Sequence, residues 1–493
     1  GQGDAPSNSI SRRKFIKVAG GTTLSVAALS GLSWSALANT GLKDQGGILR
    51  QALVVKPILV YSAPEYRHQS SWRSWGGIQT DEDAREEISR ICGELGELKS
   101  AADFPVDFMP VAAIKGPRDI DDLADLDAAD TLLIYAAGGW MDTFDALHKK
   151  EKDMIFFCRH KSGPVYLWYE IISPRFLRQH TDKLALSGVD EEDVVIDNQD
   201  EILWRLRALC GLKNTRNASI LAIGGAGAWA QPRGVVPGLV EDKFKFGIKT
   251  LPYDDLGNII VDAKKDAAAV NRARQRSGEY LDDSGLSLET DRAYLDNCFL
   301  LEDVFRKIMD QENCRAITIN GCMGTIMPLA ETSACMTLSL LNDAGYLAFC
   351  ESDFVVIPAG ILLANISGKP VFLNDPTYPH DGIITLAHCT APRRMDGRVC
   401  EPARILTHFE SDYGAAPKVE MKIGQVVTNI IPDFQVEQYV GLKGTIIDNP
   451  FMDICRSQID ISYDADSHLL AKRMPGFHWM TGYGDYLRET GYA

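Results

Sequence analysis

The chain has 493 residues, 45% of them hydrophobic and 24% charged, with a formal net charge of −16. It is too long for a single core, so two to three domains are expected, and its balance is that of a soluble globular protein. Residues 1–38 hold Arg12, Arg13, Lys14 and Lys17 against Asp4, so the rest of the chain carries about −19. Such acidity excludes nucleic acid and anionic membranes as partners and suits a neutral or cationic small molecule.

The first pattern in the chain is Ser11-Arg12-Arg13-Lys14-Phe15-Ile16-Lys17, a twin-arginine motif. A weakly apolar run from Val18 to Trp34 follows, then Ala36-Leu37-Ala38 as a small-residue cleavage site. The run is short and rich in Gly, Ser and Thr, so residues 1–38 read as a twin-arginine export signal rather than a membrane span. The mature protein is expected in the periplasm or otherwise exported, with no membrane attachment. The 11 cysteines form no CxxC pair and no compact framework, and Cys158, Cys210 and Cys350 sit inside apolar runs. Few or no disulfides are expected.

Residues 39–212 read as an N-terminal α/β domain. Pro57 to Ala63 is a first strand, and Thr80 caps a helix of about 18 residues that turns Ile88, Ile91, Leu95 and Leu98 to one face. Further strands are expected at Thr131 to Ala136, Met154 to Cys158 and Pro164 to Tyr169. The loop 67–77 holds Trp72, Arg73 and Trp75. Such rings and a guanidinium can stack on and hydrogen-bond a sugar, or they can pack between domains or subunits.

Residues 213–385 read as a middle α/β domain. Ala218 to Gly225 is a strand running into Gly224-Gly225-Ala226-Gly227, which lacks the GxGxxG spacing and any P-loop lysine. A tight turn is expected there, and no nucleotide cofactor. Trp229, Gln231 and Arg233 in the same loop are candidates to face a sugar. Residues 254–276 suggest a helix with its connection, 314–322 a strand and 330–342 a helix. Beyond residue 386, short alternating stretches at 403–408, 418–421, 424–431 and 444–447 indicate a β-rich domain, a small barrel or sandwich over 386–493. The expected fold class is therefore α/β: two doubly wound α/β domains followed by a smaller β-rich, barrel-like one.

The stretch from Gly345 to Cys389 organises the rest. An apolar run, Tyr346 to Cys350, ends in Glu351, and a second, Pro370 to Leu373, ends in Asn374 and Asp375. Pro358 and Gly368 punctuate the apolar segment between them as a helix. Strand, helix and strand in this span read as a βαβ unit with parallel neighbouring strands. Glu351 and Asp375 are then expected together at the carboxyl ends of those strands, where α/β sheets place ligands, with His388 close in sequence. Paired carboxylates suit a hard divalent cation.

Glu351, the 24-residue step to Asp375 and the late Gly476-Phe477-His478-Trp479 together resemble the metal site of the L-fucose isomerase family, and Ala387-His388-Cys389 resembles a further motif of its relatives. The resemblance implies that Glu351, Asp375 and His478 hold one Mn²⁺, with Mg²⁺ or Co²⁺ as substitutes, and that Glu351 and Asp375 also move the proton between C1 and C2 of a sugar. It further implies a homo-oligomer, trimer or hexamer, in which one subunit's N-terminal domain helps close a neighbour's site. Trp72, Arg73, Trp229, His388 and Trp479 are the expected substrate contacts. The chemistry fits the residue types: a divalent ion stabilises an enediolate, and a carboxylate over the C1–C2 edge shuttles the proton. Epimerisation or lyase chemistry on a modified sugar uses the same groups, and a non-catalytic periplasmic sugar-binding protein is the third reading.

Overall fold

The computed structural model describes residues 47–139, 141–169, 189–230 and 232–493. The export signal and Gln231 lie outside the described residues. Among the described residues the contacts form two compact units, one of 51–213 with 492–493 and one of 47–50 with 214–491. No described helix is long and apolar enough to cross a membrane.

The first unit is built on six parallel strands: β1 (Leu53–Val60), β2 (Val106–Phe108), β3 (Ala112–Ile114), β4 (Thr131–Ala136), β5 (Asp153–Cys158) and β6 (Val194–Ile196). Their order is β2-β1-β4-β5-β6, with β3 also pairing β1. Strands β1, β4 and β5 are almost wholly buried, as a parallel sheet covered on both faces requires. The expected helix is Asp81–Ala101. Thr80 Oγ1 accepts from the Asp83 amide at 3.1 Å, and Asp83 Oδ2 accepts from the Thr80 amide at 2.9 Å, a reciprocal cap. Residues 164–169 form no strand. Pro164 has no amide proton for a ladder, and the next amides go to separate places: Tyr166 donates to the Arg159 carbonyl and Leu167 to the Ala137 carbonyl. Trp168, in the helical turn Leu167–Tyr169, stacks on Phe156 with ring centroids 4.7 Å apart.

The second unit carries β7 (Ser219–Ile223), β8 (Gly247–Leu251), β9 (Leu286–Leu288), β10 (Ala316–Ile319) and β11 (Leu347–Cys350). Four of these form a parallel sheet in the order β11-β10-β7-β8. Then come β12 (Phe372–Pro376), β13 (Ile383–His388), β14 (Ala403–His408), β15 (Tyr413–Val419), β16 (Val426–Pro432), β17 (Tyr439–Asp448), β18 (Ser457–Ser462) and β19 (Trp479–Tyr483). Six close an antiparallel barrel, β12-β13-β18-β17-β16-β19, while β9, β14 and β15 make a separate ribbon. Phe372, Ile384, Leu386, Ile446, Ile461 and Trp479 help fill the barrel. Its first strand thus comes from before residue 386.

The βαβ expectation fails at this point. Strand β11 is the edge of the parallel sheet, whereas β12 lies in the barrel with antiparallel partners β13 and β19 on its two sides. The intervening helix, Ile357–Ser367, shows why: each of its residues is buried. A crossover helix covering one sheet keeps a polar face, and a helix apolar all round must be covered on every side. This one lies between the layers, sharing a core with Phe349 of β11, Ile430 of β16 and Met480 of β19. The approach is close enough that a Cβ on Gly360 would sit 2.5 Å from Met480 Cε and 2.9 Å from Phe349 Cε1.

Candidate metal centre

Glu351 follows the last residue of β11, and both it and Ser352 adopt left-handed backbone, with φ of 67° and 47°. Non-glycine residues are strained in that conformation and cluster at functional sites. The Ser352 amide donates to Thr318 Oγ1 on β10 at 3.1 Å, which ties the turn to the sheet. Asp353, next in the chain, is buried, and its Oδ1 accepts from the amides of Trp229 (2.9 Å) and Val355 (3.1 Å). The glycine turn 224–227 is clasped to it, the Phe354 amide donating to the Gly227 carbonyl at 3.1 Å. Gly224 has φ of 73°, and any Cβ there would strike the Tyr253 ring, so the strand-to-loop turn requires glycine.

The barrel supplies the other three groups. Asp375 pairs with Ala387 on β13, one position from His388, and Asn374 pairs with Trp479 on β19, one position from His478. The two ladders therefore flank Asp375 with the two histidines. His478 Nε2 lies 3.1 Å from Asp375 Oδ1 and 3.5 Å from Glu351 Oε2, while His388 Nε2 lies 3.6 Å from Glu351 Oε1. Asp375, His388 and His478 offer ligand atoms within 4.8 Å of one another, as do Cys350, Glu351 and His388. So the structure brings Glu351, Asp375 and His478 together, although by two sheets rather than by one.

Both ring nitrogens facing the carboxylates, His388 Nε2 and His478 Nε2, are buried and make no hydrogen bond of ordinary geometry. Their other nitrogens are occupied: His478 Nδ1 donates to Asp353 Oδ2 at 2.8 Å, and His388 Nδ1 pairs with Thr390 Oγ1 at 3.1 Å. This is the arrangement that metal-binding imidazoles use, one nitrogen held by an outer partner and the other free to ligate. Burial works to raise the Glu351 pKa, but His388 and His478 outweigh it and hold the carboxyl well below its usual range. Burial works to lower that of His478, yet Asp353, Asp375 and Glu351 push it up to about 11. His388 is raised against burial by Glu351 and Asp375. The centre thus calls for positive charge, and protons on the histidines or a cation can supply it. Two carboxylates and two imidazoles are a donor set that could hold a divalent metal ion. Compared with family models and with the sequences of curated proteins, the chain matches none.

The carboxylates open onto a cavity of about 650 Å³. Trp229 lines it, 48% exposed and stacked on Phe477, also a lining residue, at 5.1 Å with the planes 12° apart. Its ring also meets His478 edge-on at 5.7 Å. Arg233, Asn320 and Glu410 add polar lining. Trp479, expected to touch substrate, is 0% exposed and packs inside the barrel. Neighbouring residues on a strand face opposite ways, so His478 and Trp479 do not share a site. Trp72 and Arg73 belong to the first unit, where Trp72 meets Tyr66 edge-on at 5.3 Å and the Arg73 guanidinium sits 5.2 Å over the Trp72 ring. Sequence reasoning misses Asp353, which on its own reads as a helix-cap residue. The signal it leaves is the pattern Glu351-Ser352-Asp353, two carboxylates one residue apart at a strand end.

Proposed function

We propose that the protein is a metal-dependent sugar isomerase that interconverts an aldose and a ketose through a cis-enediol, in the manner that its resemblance to the L-fucose isomerase family implies. One observation carries this reading: two buried imidazole nitrogens converge, within 3.1–3.6 Å, on two carboxylates at the wall of a cavity of about 650 Å³. That volume lies within the ordinary range for small-molecule sites. Glu351, Asp375 and His478 would hold Mn²⁺, or Mg²⁺ or Co²⁺ in its place, and His388 stands beside them as a fourth donor. The ion supplies Lewis-acid stabilisation of negative charge that develops on the sugar oxygens. Glu351, kept ionised by the two histidines, is the proton acceptor, and Asp375 works with it in returning the proton to the neighbouring carbon. Asp353 fixes the ring of His478. The apolar shelf of Trp229 and Phe477 suits the apolar face of a sugar ring, and Arg233, Asn320 and Glu410 suit its hydroxyls. Trp72 and Arg73 enter this reading as contacts from a neighbouring subunit of a trimer or hexamer, and the twin-arginine motif supports a periplasmic location.

The test is metal content by plasma mass spectrometry on wild type and on the Glu351→Gln/Asp375→Asn double variant, followed by a screen of aldoses and ketoses for interconversion. One Mn or similar ion per chain, lost in the variant together with isomerisation, is the expected result. A protein that holds no such ion after reloading overturns the proposal. Metal without isomerisation leaves the site standing and moves the reaction to an epimerase or lyase.

A further inference from the structure

A second group of metal-ligating side chains lines another part of the same cavity. Cys335, Cys389 and His408 are all buried, and one ligand atom from each lies within 4.8 Å of the other two. Cys455, half-buried, packs against Cys335 and Cys389, and all four residues line the cavity. They come from four places in the second unit: the start of the helix Ala334–Asp343, the end of β13, the end of β14 and the turn before β18. The pairing of β14 with β15 shifts register between Leu406 and His408, an irregularity that re-aims a side chain. His408 Nδ1 pairs with Ser411 Oγ at 3.1 Å, which leaves Nε2 as its free ring nitrogen. Every cysteine of the chain is a free thiol in the structure.

A core of packed thiols accounts for cysteines among apolar neighbours, but it gives no reason for a buried imidazole held by its far nitrogen among them. A tetrahedral zinc site does. With Zn–S of about 2.3 Å and Zn–N of about 2.0 Å, its edges measure about 3.8 Å between sulfurs and about 3.5 Å from sulfur to nitrogen. The observed spread of 4.8 Å or less closes to this by side-chain adjustments of under about 1 Å. Sulfur-rich donors select a soft ion, unlike the oxygen and imidazole donors around Glu351. We propose that Cys335, Cys389, Cys455 and His408 form a second, thiolate-rich site that binds Zn²⁺, separate in chemistry from the carboxylate centre. Each cysteine gives up its thiol proton on binding, so up to three protons leave as the ion enters.

The full chain is loaded with Zn²⁺ alone, desalted and assayed for zinc, then reloaded with Co²⁺ for absorption spectroscopy. We expect about one zinc per chain at this site and the near-ultraviolet thiolate-to-cobalt band with the visible bands of a tetrahedral ion. Glu351→Gln/Asp375→Asn leaves the thiolate band unchanged, which separates this site from the carboxylate centre whatever becomes of the isomerase reading. Cys455→Ser and His408→Gln weaken or shift the band, and Cys389→Ser abolishes it. Should Cys389→Ser fail to fold, the wild-type spectrum and the half-buried Cys455→Ser variant still decide the matter. Absence of the thiolate band while all four groups are present and the thiols titrate as free overturns the proposal, as does a disulfide among the three cysteines.

Discussion

Replacing Asp353 with asparagine isolates the support of His478 from its ligand role. In the wild type, Asp353 Oδ1 accepts two backbone amides while Oδ2, 2.8 Å from His478 Nδ1, accepts the proton of that nitrogen, so that Nε2 is the one to be bare when an ion is bound. In Asp353→Asn, a side chain that keeps its oxygen on the two amides turns its NH₂ toward His478, donor against donor. The ring must then move its proton to Nε2, the ligating atom, or break away from residue 353. A hydrogen bond to a charged group contributes about 1.5–3 kcal/mol, which at about 1.4 kcal/mol per decade is roughly 10- to 100-fold in Mn²⁺ affinity, the usual scale for outer partners of metal ligands. Competition against a chelating fluorophore reads the dissociation constant, and circular dichroism checks the fold. A folded Asp353→Asn protein that binds Mn²⁺ within about threefold of wild type refutes the reasoning.

Two further predictions concern stability. Asp343 is buried, its Oδ1 accepts the Arg394 amide at 2.7 Å and its Oδ2 has no partner, so burial pushes its pKa up to about 7. The folded state then holds a proton that the unfolded chain loses near pH 4, so stability falls as pH rises from about 4 to about 7 and levels off above, by an amount on the order of 4 kcal/mol. Asp343→Asn removes that loss: urea unfolding is expected to show the variant as stable as wild type at acid pH and more stable at alkaline pH, and an equal difference at both ends counts against it. Gly360→Val forces atoms toward Met480 and Phe349, so the variant should be less stable than wild type by at least about 2 kcal/mol. A variant with an unchanged melting temperature contradicts the close approach.

Much of this was legible where the cause is local. The reciprocal cap of Thr80 and Asp83, and the helix punctuated by Pro358 and Gly368, follow from side chains within a few positions of each other. The carboxylates and His478 were readable as a set only through a resemblance, and the reading of how they meet was wrong in its geometry. Which strand pairs with β12 depends on β13 and β19, the latter more than a hundred residues along, and no local pattern records that choice. Full burial of the helix between them was, however, written in its composition: Ile357–Ser367 carries no charged residue and has no face to show to water. The thiol cluster escaped for the same reason as the strand pairing. Its ligands stand singly on four elements, and a search for closely spaced cysteines passes over them.

The left-handed backbone at Glu351 has a consequence for how such a site persists. Residues with a Cβ are destabilised there by about 1–2 kcal/mol, and the pairing of the Glu351 carboxylate with His388 and His478 is set against that cost. The strained turn is therefore held by the charge it presents to the barrel, and Glu351→Gly relieves the strain and removes the charge in one step.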